Sequence, residues 1–169
     1  MAELTTARLR VRAMNEDDAP FMLELLNQAS WLQFIGDRGV RTLADARGYI
    51  RQGPMAMMER HGFGFDVVEG LSDGAPLGLC GLAQRDYLDA PDIGFAFLER
   101  HAGKGLAHEA AAAVLADAQQ RLGLMRILAT TRRVNLRSQA LLKRLGLQLE
   151  RLIHHPEDQR ELLLFSTAA

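Results

Sequence analysis

"ERHAGKGLAHEAAAAV", residues 99–114, decides how the rest of the chain is read. Gly103 and Gly105 bracket Lys104, and an alanine-rich run follows without a break. A Walker-type nucleotide loop requires G-x-x-x-x-G-K-S/T, with a hydroxyl after the lysine for magnesium. Gly105 and Leu106 follow Lys104 here, so that pattern fails. A dinucleotide fingerprint, G-x-G-x-x-G, would need glycine where His108 stands. What remains is a strand ending near Glu99, a backbone freed by glycine, and a helix start. Successive unpaired N–H groups at such a start, at the positive end of the helix dipole, suit a phosphate group. On spacing alone, a glycine-containing turn that binds nothing is an equal reading.

Outward from this stretch the chain reads as mixed strands and helices. "ARLRVRAM" (7–14) alternates Leu9, Val11 and Ala13 against arginines, as a half-exposed strand does. "NEDDAPFMLELLNQA" (15–29) is a helix capped by Asn15, with Pro20 early, where proline is tolerated. "TLADARGYIRQ" (42–52) is a second helix, capped by Thr42 and expected to stop at Gly53-Pro54. Between them, "SWLQFIGDRGV" reads as an aromatic-bearing loop. Strands follow at 63–69, 76–87 and 92–99, then a helix to about Arg121, a strand at 125–131 and a helix at 135–146 capped by Asn135. Two strands close the chain, giving β-α-α-β-β-β-α-β-α-β-β with a βαβ unit across 92–131. A parallel crossover is expected there and antiparallel neighbours elsewhere.

Composition sets the bounds. With 169 residues, 48% hydrophobic and 24% charged, residues 1–169 read as a single globular domain. A net charge of −1 gives no bulk attraction to nucleic acid or an anionic membrane, so neither is expected as a partner. One cysteine, Cys80, sits in the apolar run "PLGLCGLA" and reads as a buried structural thiol in a reducing compartment. The N-terminus carries no apolar targeting segment and no run reaches membrane-spanning length, which reads as cytoplasmic. The histidines lack ligand spacing, so no metal site is expected.

In order along nearly the whole chain, the sequence resembles the GCN5-related N-acetyltransferase (GNAT) superfamily. "AGKGLAHEA" is similar to its pyrophosphate motif Q/R-x-x-G-x-G/A, with Ala102, Gly105 and Ala107 at the named places. "DIGFAFLERH" resembles its fourth strand and "NLRSQALLKRLGL" its second motif, N-x-x-S-x-x-x-Y/L-x-K-x-G-F. "TARLRVRAMNEDDAPFMLELLN" and "FIGDRGVRTLADARGYI" are similar to the start of the RimJ/RimL-like branch. The resemblance implies a mixed α/β fold: a twisted central sheet of about seven strands flanked by about four helices, splayed between the fourth and fifth strands. It implies acetyl-CoA in the cleft as co-substrate, with the acetyl group passed directly to a primary amine, a small molecule or a peptide N-terminus. Homodimers are known among such proteins and are a possible assembly.

Position by position, the resemblance implies that backbone groups around Phe97 and Leu98 pair with the pantetheine arm as an added strand. It implies that the amides of Gly103, Lys104, Gly105, Leu106, Ala107 and His108 hold the pyrophosphate. Asn135 and Ser138 would line the far wall, although a helix cap and a first-turn polar residue explain them equally. Asp92 falls where relatives carry an acidic residue and is the first candidate general base; a strand-edge charge is the competing reading. Asp86, Tyr87 and Asp89 are weaker candidates. Arg132-Arg133 suit a 3′-phosphate or an acidic substrate, or simply a solvated turn. Trp31 and Phe34 suit an acceptor pocket or a plain hydrophobic anchor. Two departures stand out. Ala102 replaces the usual Gln/Arg, and Leu142 replaces the tyrosine that protonates the leaving thiolate in many members. A catalytically silent acyl-CoA-binding domain is therefore the alternative reading.

Overall fold

Period-2 alternation in the strands decides which layer each residue joins. The computed structural model describes residues 3–167. Its strands are β1 (Leu4–Thr5), β2 (Leu9–Arg12), β3 (Phe65–Gly70), β4 (Pro76–Ala83), β5 (Asp92–Phe97), β6 (Leu128–Thr131), β7 (Gln148–His154) and β8 (Glu161–Ser166). They form one eight-stranded sheet in the order β1-β2-β3-β4-β5-β6-β8-β7. Every neighbouring pair is antiparallel except β5 and β6, which are parallel.

Helices cover both faces. On one side α1 (Ala19–Asn27), α2 (Ala29–Phe34) and α3 (Leu43–Ile50) pack Phe21, Met22, Leu25 and Ile50 against Val67 and Leu79. On the other, α5 (Leu106–Gln120) packs Ala110, Ala111, Val114 and Ala118 against Val68, Cys80 and Leu82. Adjacent residues of one strand thus enter opposite layers, which is why β3 and β4 are buried almost throughout. The alanines of α5 let its backbone lie close to the sheet. Leu142 of α6 (Leu136–Arg144) joins the same cluster.

The expected mixed α/β sheet with flanking helices is the one found, and its counts of about seven strands and about four helices differ only in detail. The strand count rises to eight because the short pair Leu4–Thr5 adds to β2 through Leu4↔Val11. The helices number six α-helices among the described residues, because "SWLQF" is helical and because the chain does not stop at Gly53-Pro54. It widens there into one π turn, Arg51–Met55, and continues as α4 (Ala56–His61) to the left-handed Gly62. A proline inside a regular helix removes a donor and collides with the preceding turn; a π turn accommodates both.

The arginines of β2 are more than a solvated face. Arg12 grips Asp18 with both terminal nitrogens at 2.7 and 3.0 Å and Glu69 through Nε at 2.9 Å. Asp18 is buried, and its carboxylate also accepts the Asn15 N–H, so one network ties β2, β3 and the entry to α1.

Asp66 of β3 is a buried carboxyl with one oxygen lacking any protein partner among the described residues. Burial, with repulsion from Asp117, pushes it from 3.8 up to about 8. The folded protein keeps a proton here that the unfolded chain has released, so stability falls as pH rises through that window and levels off above it. Asp66→Asn is therefore expected to melt roughly a few degrees above the parent at pH 8, with the advantage shrinking toward pH 5. Thermal melts of both proteins across that range check it; parallel curves would refute the buried-proton account.

Candidate active site

The glycine turn is open backbone. After β5 comes a short 3-10 turn, Glu99–His101, then Gly103 and Gly105 at φ of 78° and 76°, and α5 begins at Leu106. Gly105 is the N-cap, and with no side chain it leaves the helix start uncovered. The first helical bond runs from Glu109 N–H to the Gly105 carbonyl at 3.1 Å. None of the amides of residues 103–108 donates to a protein acceptor among the described residues. Six consecutive free donors at the positive end of a 15-residue helix are a donor pattern that suits an anion.

The turn is braced from β2. Arg8 donates through Nη1 to the Lys104 carbonyl at 2.9 Å and through Nε to Glu109 at 2.7 Å, while Glu109 also accepts the Arg8 N–H. A Cβ on Gly105 would stand 3.6 Å from Arg8 Nη2, and one on Gly103 3.9 Å from Arg137 Nη2. Space therefore permits a side chain, and the positive φ is what demands glycine. Arg8 and Arg137 were not apparent as site residues. Their alternation and helix positions read as exposed surface, and only the fold brings them to the turn.

A cleft of about 620 Å³ opens between β5 and β6. The two strands share one register pair, Asp92↔Leu128, and diverge beyond it. Asp92, Phe97, Asn135 and Ser138 line the cleft; Leu98 and residues 103–108 do not, the turn following directly from the end of β5. Leu98 faces away. Its N–H donates to Leu77, its carbonyl accepts from His101, and its side chain is buried among α1 and α3 residues. By ladder alternation, the backbone groups of Phe95 and Phe97 point to the open side. Gln28 already covers part of that edge, donating Nε2 to the Phe97 carbonyl at 2.8 Å and accepting from Glu99 N–H.

The facing wall comes from β6 and α6. Asn135 Oδ1 caps α6 by accepting the Ser138 N–H at 3.1 Å, so the cap reading is realised, while its Nδ2 has no acceptor among the described residues. Ser138 and Leu142, one turn apart, both line the cleft. Trp31 and Phe34 of α2 and the π-turn residues Gln52, Gly53 and Pro54 complete the lining. Trp31 is buried and its Nε1 has no partner among the described residues.

Asp92 is almost fully buried and accepts from Arg85 Nε at 3.1 and 3.2 Å. Burial pushes its carboxyl above the ordinary range, opposed by the Arg85 charge and hydrogen bond. A carboxylate with raised proton affinity at the inner end of a cleft is a better proton acceptor than an ordinary one. Asp86 and Asp89 lie outside the lining, whereas Tyr87 is within it. Cys80 is buried with its thiol pushed up by burial, which makes it a poor nucleophile. No three metal-ligating side chains cluster among the described residues, and no helix among them is long and apolar enough to cross a membrane.

A family model described as an acetyltransferase (GNAT) domain matches residues 8–148. Three solved structures are similar over nearly the whole chain. A GnaT-family acetyltransferase described from Bordetella pertussis is 25% identical with a TM-score of 0.83, covering 99% of this chain and 100% of its own. An acetyltransferase from Agrobacterium tumefaciens is 23% identical at 0.84, covering 100% and 95%. The RimL ribosomal-protein alpha-N-acetyltransferase, in complex with coenzyme A, is 19% identical at 0.83, covering 98% and 97%.

The Arg85 contact makes a prediction independent of any reaction. Carbon-13 carboxyl NMR should place the Asp92 midpoint above ordinary carboxylates, and Arg85→Gln should move it higher still by removing the opposing charge. A midpoint at or below the ordinary range would show that the ion pair outweighs burial.

Proposed function

The chain belongs to the GNAT acetyltransferase family, and from that membership we propose that it transfers the acetyl group of acetyl-CoA directly to a primary amine, of a small molecule or a peptide N-terminus. The observation that carries this reading is the run of free amides at 103–108 beside a cleft that ends on a buried carboxylate. The ligand's chemistry fits both parts. A pyrophosphate matches a cradle of N–H donors, and an extended amide arm matches an open strand edge.

When bound, acetyl-CoA supplies an activated thioester carbonyl. In the proposed assignment, the amides of Gly103, Lys104, Gly105, Leu106, Ala107 and His108 hold its pyrophosphate. The free edge at Phe95 and Phe97 pairs with the arm, in place of the expected Phe97 and Leu98. Asn135 Nδ2 points a donor from the opposite wall. Asp92 takes the proton from the amine, directly or through water, which makes the nitrogen nucleophilic. Leu142 offers no proton to the departing sulfur, and the Ser138 hydroxyl one turn earlier is the donor on that face of α6. The RimL neighbour's description as an alpha-N-acetyltransferase supports a peptide N-terminus among the possible acceptors.

Titration calorimetry should detect acetyl-CoA and CoA but not ATP. Gly105→Val should weaken acetyl-CoA by about tenfold or more while circular dichroism stays native, because a β-branched residue resists positive φ and crowds the cradle. Unchanged affinity in the folded variant removes the cradle assignment.

Asp92→Asn should lower turnover by about a hundredfold with acetyl-CoA affinity retained. In the parent, rate should fall as pH drops through the raised Asp92 midpoint, and the variant should lose that limb. Tight acetyl-CoA binding with no thiol release across amines and N-terminal peptides would favour a silent acyl-CoA-binding domain.

A further inference from the structure

The side chains lining the cleft are unbalanced in charge. Arg38, Arg85 and Arg160 are cationic and Asp92 alone is anionic. Each arginine stands in a different state. Arg85 uses only Nε on Asp92, and its two terminal nitrogens donate to nothing among the described residues. Arg160 holds Asp158 at 2.7 Å, and Asp158 lies outside the lining. Arg38 has no acidic partner among the described residues; the salt bridge of that loop joins Asp37 to Arg41 instead. Tyr49 and Tyr87 line the same cleft as the three arginines.

A guanidinium with free terminal N–H groups is shaped to grip a carboxylate with two hydrogen bonds. Trp31, Phe34 and Met57 supply apolar wall beside these guanidiniums. The same surplus of positive charge repels a polycationic amine and favours the neutral, nucleophilic form of a bound one. Asp92 and Arg85, in contact at 3.1 Å, present adjacent negative and positive charges. An acceptor presenting an amine next to a carboxylate is their complement.

We infer that the acceptor is a primary amine carrying a carboxylate, with its nitrogen at Asp92 and its carboxylate on Arg85 and Arg38. This rests on the acetyl-transfer reading above and narrows its substrate class. The carboxylate could belong to a free amino acid or to an acidic side chain beside a peptide N-terminus.

The test compares matched acceptors by thiol release: an amino acid, its carboxamide, and the parent amine without the carboxylate. Dipeptide amides with aspartate or lysine as the second residue form the peptide arm. The carboxylate acceptors of at least one arm should exceed their neutral or basic counterparts by about tenfold in kcat/KM. A preference confined to the first arm assigns a free amino acid, and one confined to the second an acidic peptide. Arg38→Gln should shrink the preference, mainly through KM, and Arg38→Glu should reverse it. Equal rates within both arms, or a preference for lysine over aspartate with no carboxylate preference in the first arm, overturn the inference while leaving acetyl transfer intact. Where nothing turns over, calorimetric binding of the same acceptors to CoA-loaded protein decides: carboxylate selectivity lost in Arg38→Glu supports the inference, and its absence overturns it.

Discussion

The join between the two halves of the sheet rests on one register pair, Asp92↔Leu128. At Asp92, the first residue of β5, both edges are paired; beyond it β4 still holds one edge and nothing in the sheet holds the other. An exposed strand edge is a row of unmet donors and acceptors, and folded chains either cover it or use it. This chain does some of each. Gln28 reaches across from the corner between α1 and α2 to take the Phe97 carbonyl, and the remaining edge is left facing the cleft. The cleft, the crossover helix that leaves the end of β5, and the turn joining them all follow from that divergence.

Polar chemistry is supplied to the site by two different means. At the turn it is backbone: amides freed by two left-handed glycines, with Arg8 spent on bracing the loop through Lys104 and Glu109. At the inner end it is a contact ion pair of a buried Asp92 with a partly exposed Arg85, where each partner changes what the other can do. Burial raises the proton affinity of Asp92, and Arg85 limits how far.

Much of the fold was legible because alternation and capping are local. Asn15, Thr42 and Asn135 each cap where the sequence places them, and Val67/Val68 and Leu79/Cys80 divide between faces as a period of two requires. Misreadings arose where a neighbour overrides the local signal. Gly53-Pro54 reads as a stop, but the chain absorbs it in a π turn beside the cleft. "SWLQF" lacks a helical pattern of its own and becomes helical because Trp31 is buried against the other helices. In the site, residues of one contiguous stretch were visible from sequence. Partners that meet only through the fold were not: Arg8 and Glu109 stand 101 positions apart, and Arg85 reaches Asp92 only because the connection between β4 and β5 turns back on itself.

Ala102 and Leu142 now have a physical setting. Both departures remove side-chain chemistry from places where relatives carry it, yet each lies beside a group that the fold supplies anyway. Next to Ala102 are free amides and, near Gly103, the Arg137 guanidinium; one turn before Leu142 is the Ser138 hydroxyl. Leu142 itself is fully buried and packs with the α5 layer, so a leucine there serves the core as well as the cleft wall. A cradle made of backbone asks little of sequence beyond glycine at two positive-φ positions and a helix that starts on time. That tolerance fits a fold shared by chains with few residues in common. What distinguishes this chain lies in the side chains of the cleft, where Arg85 touches Asp92 and Arg38 and Arg160 share the lining.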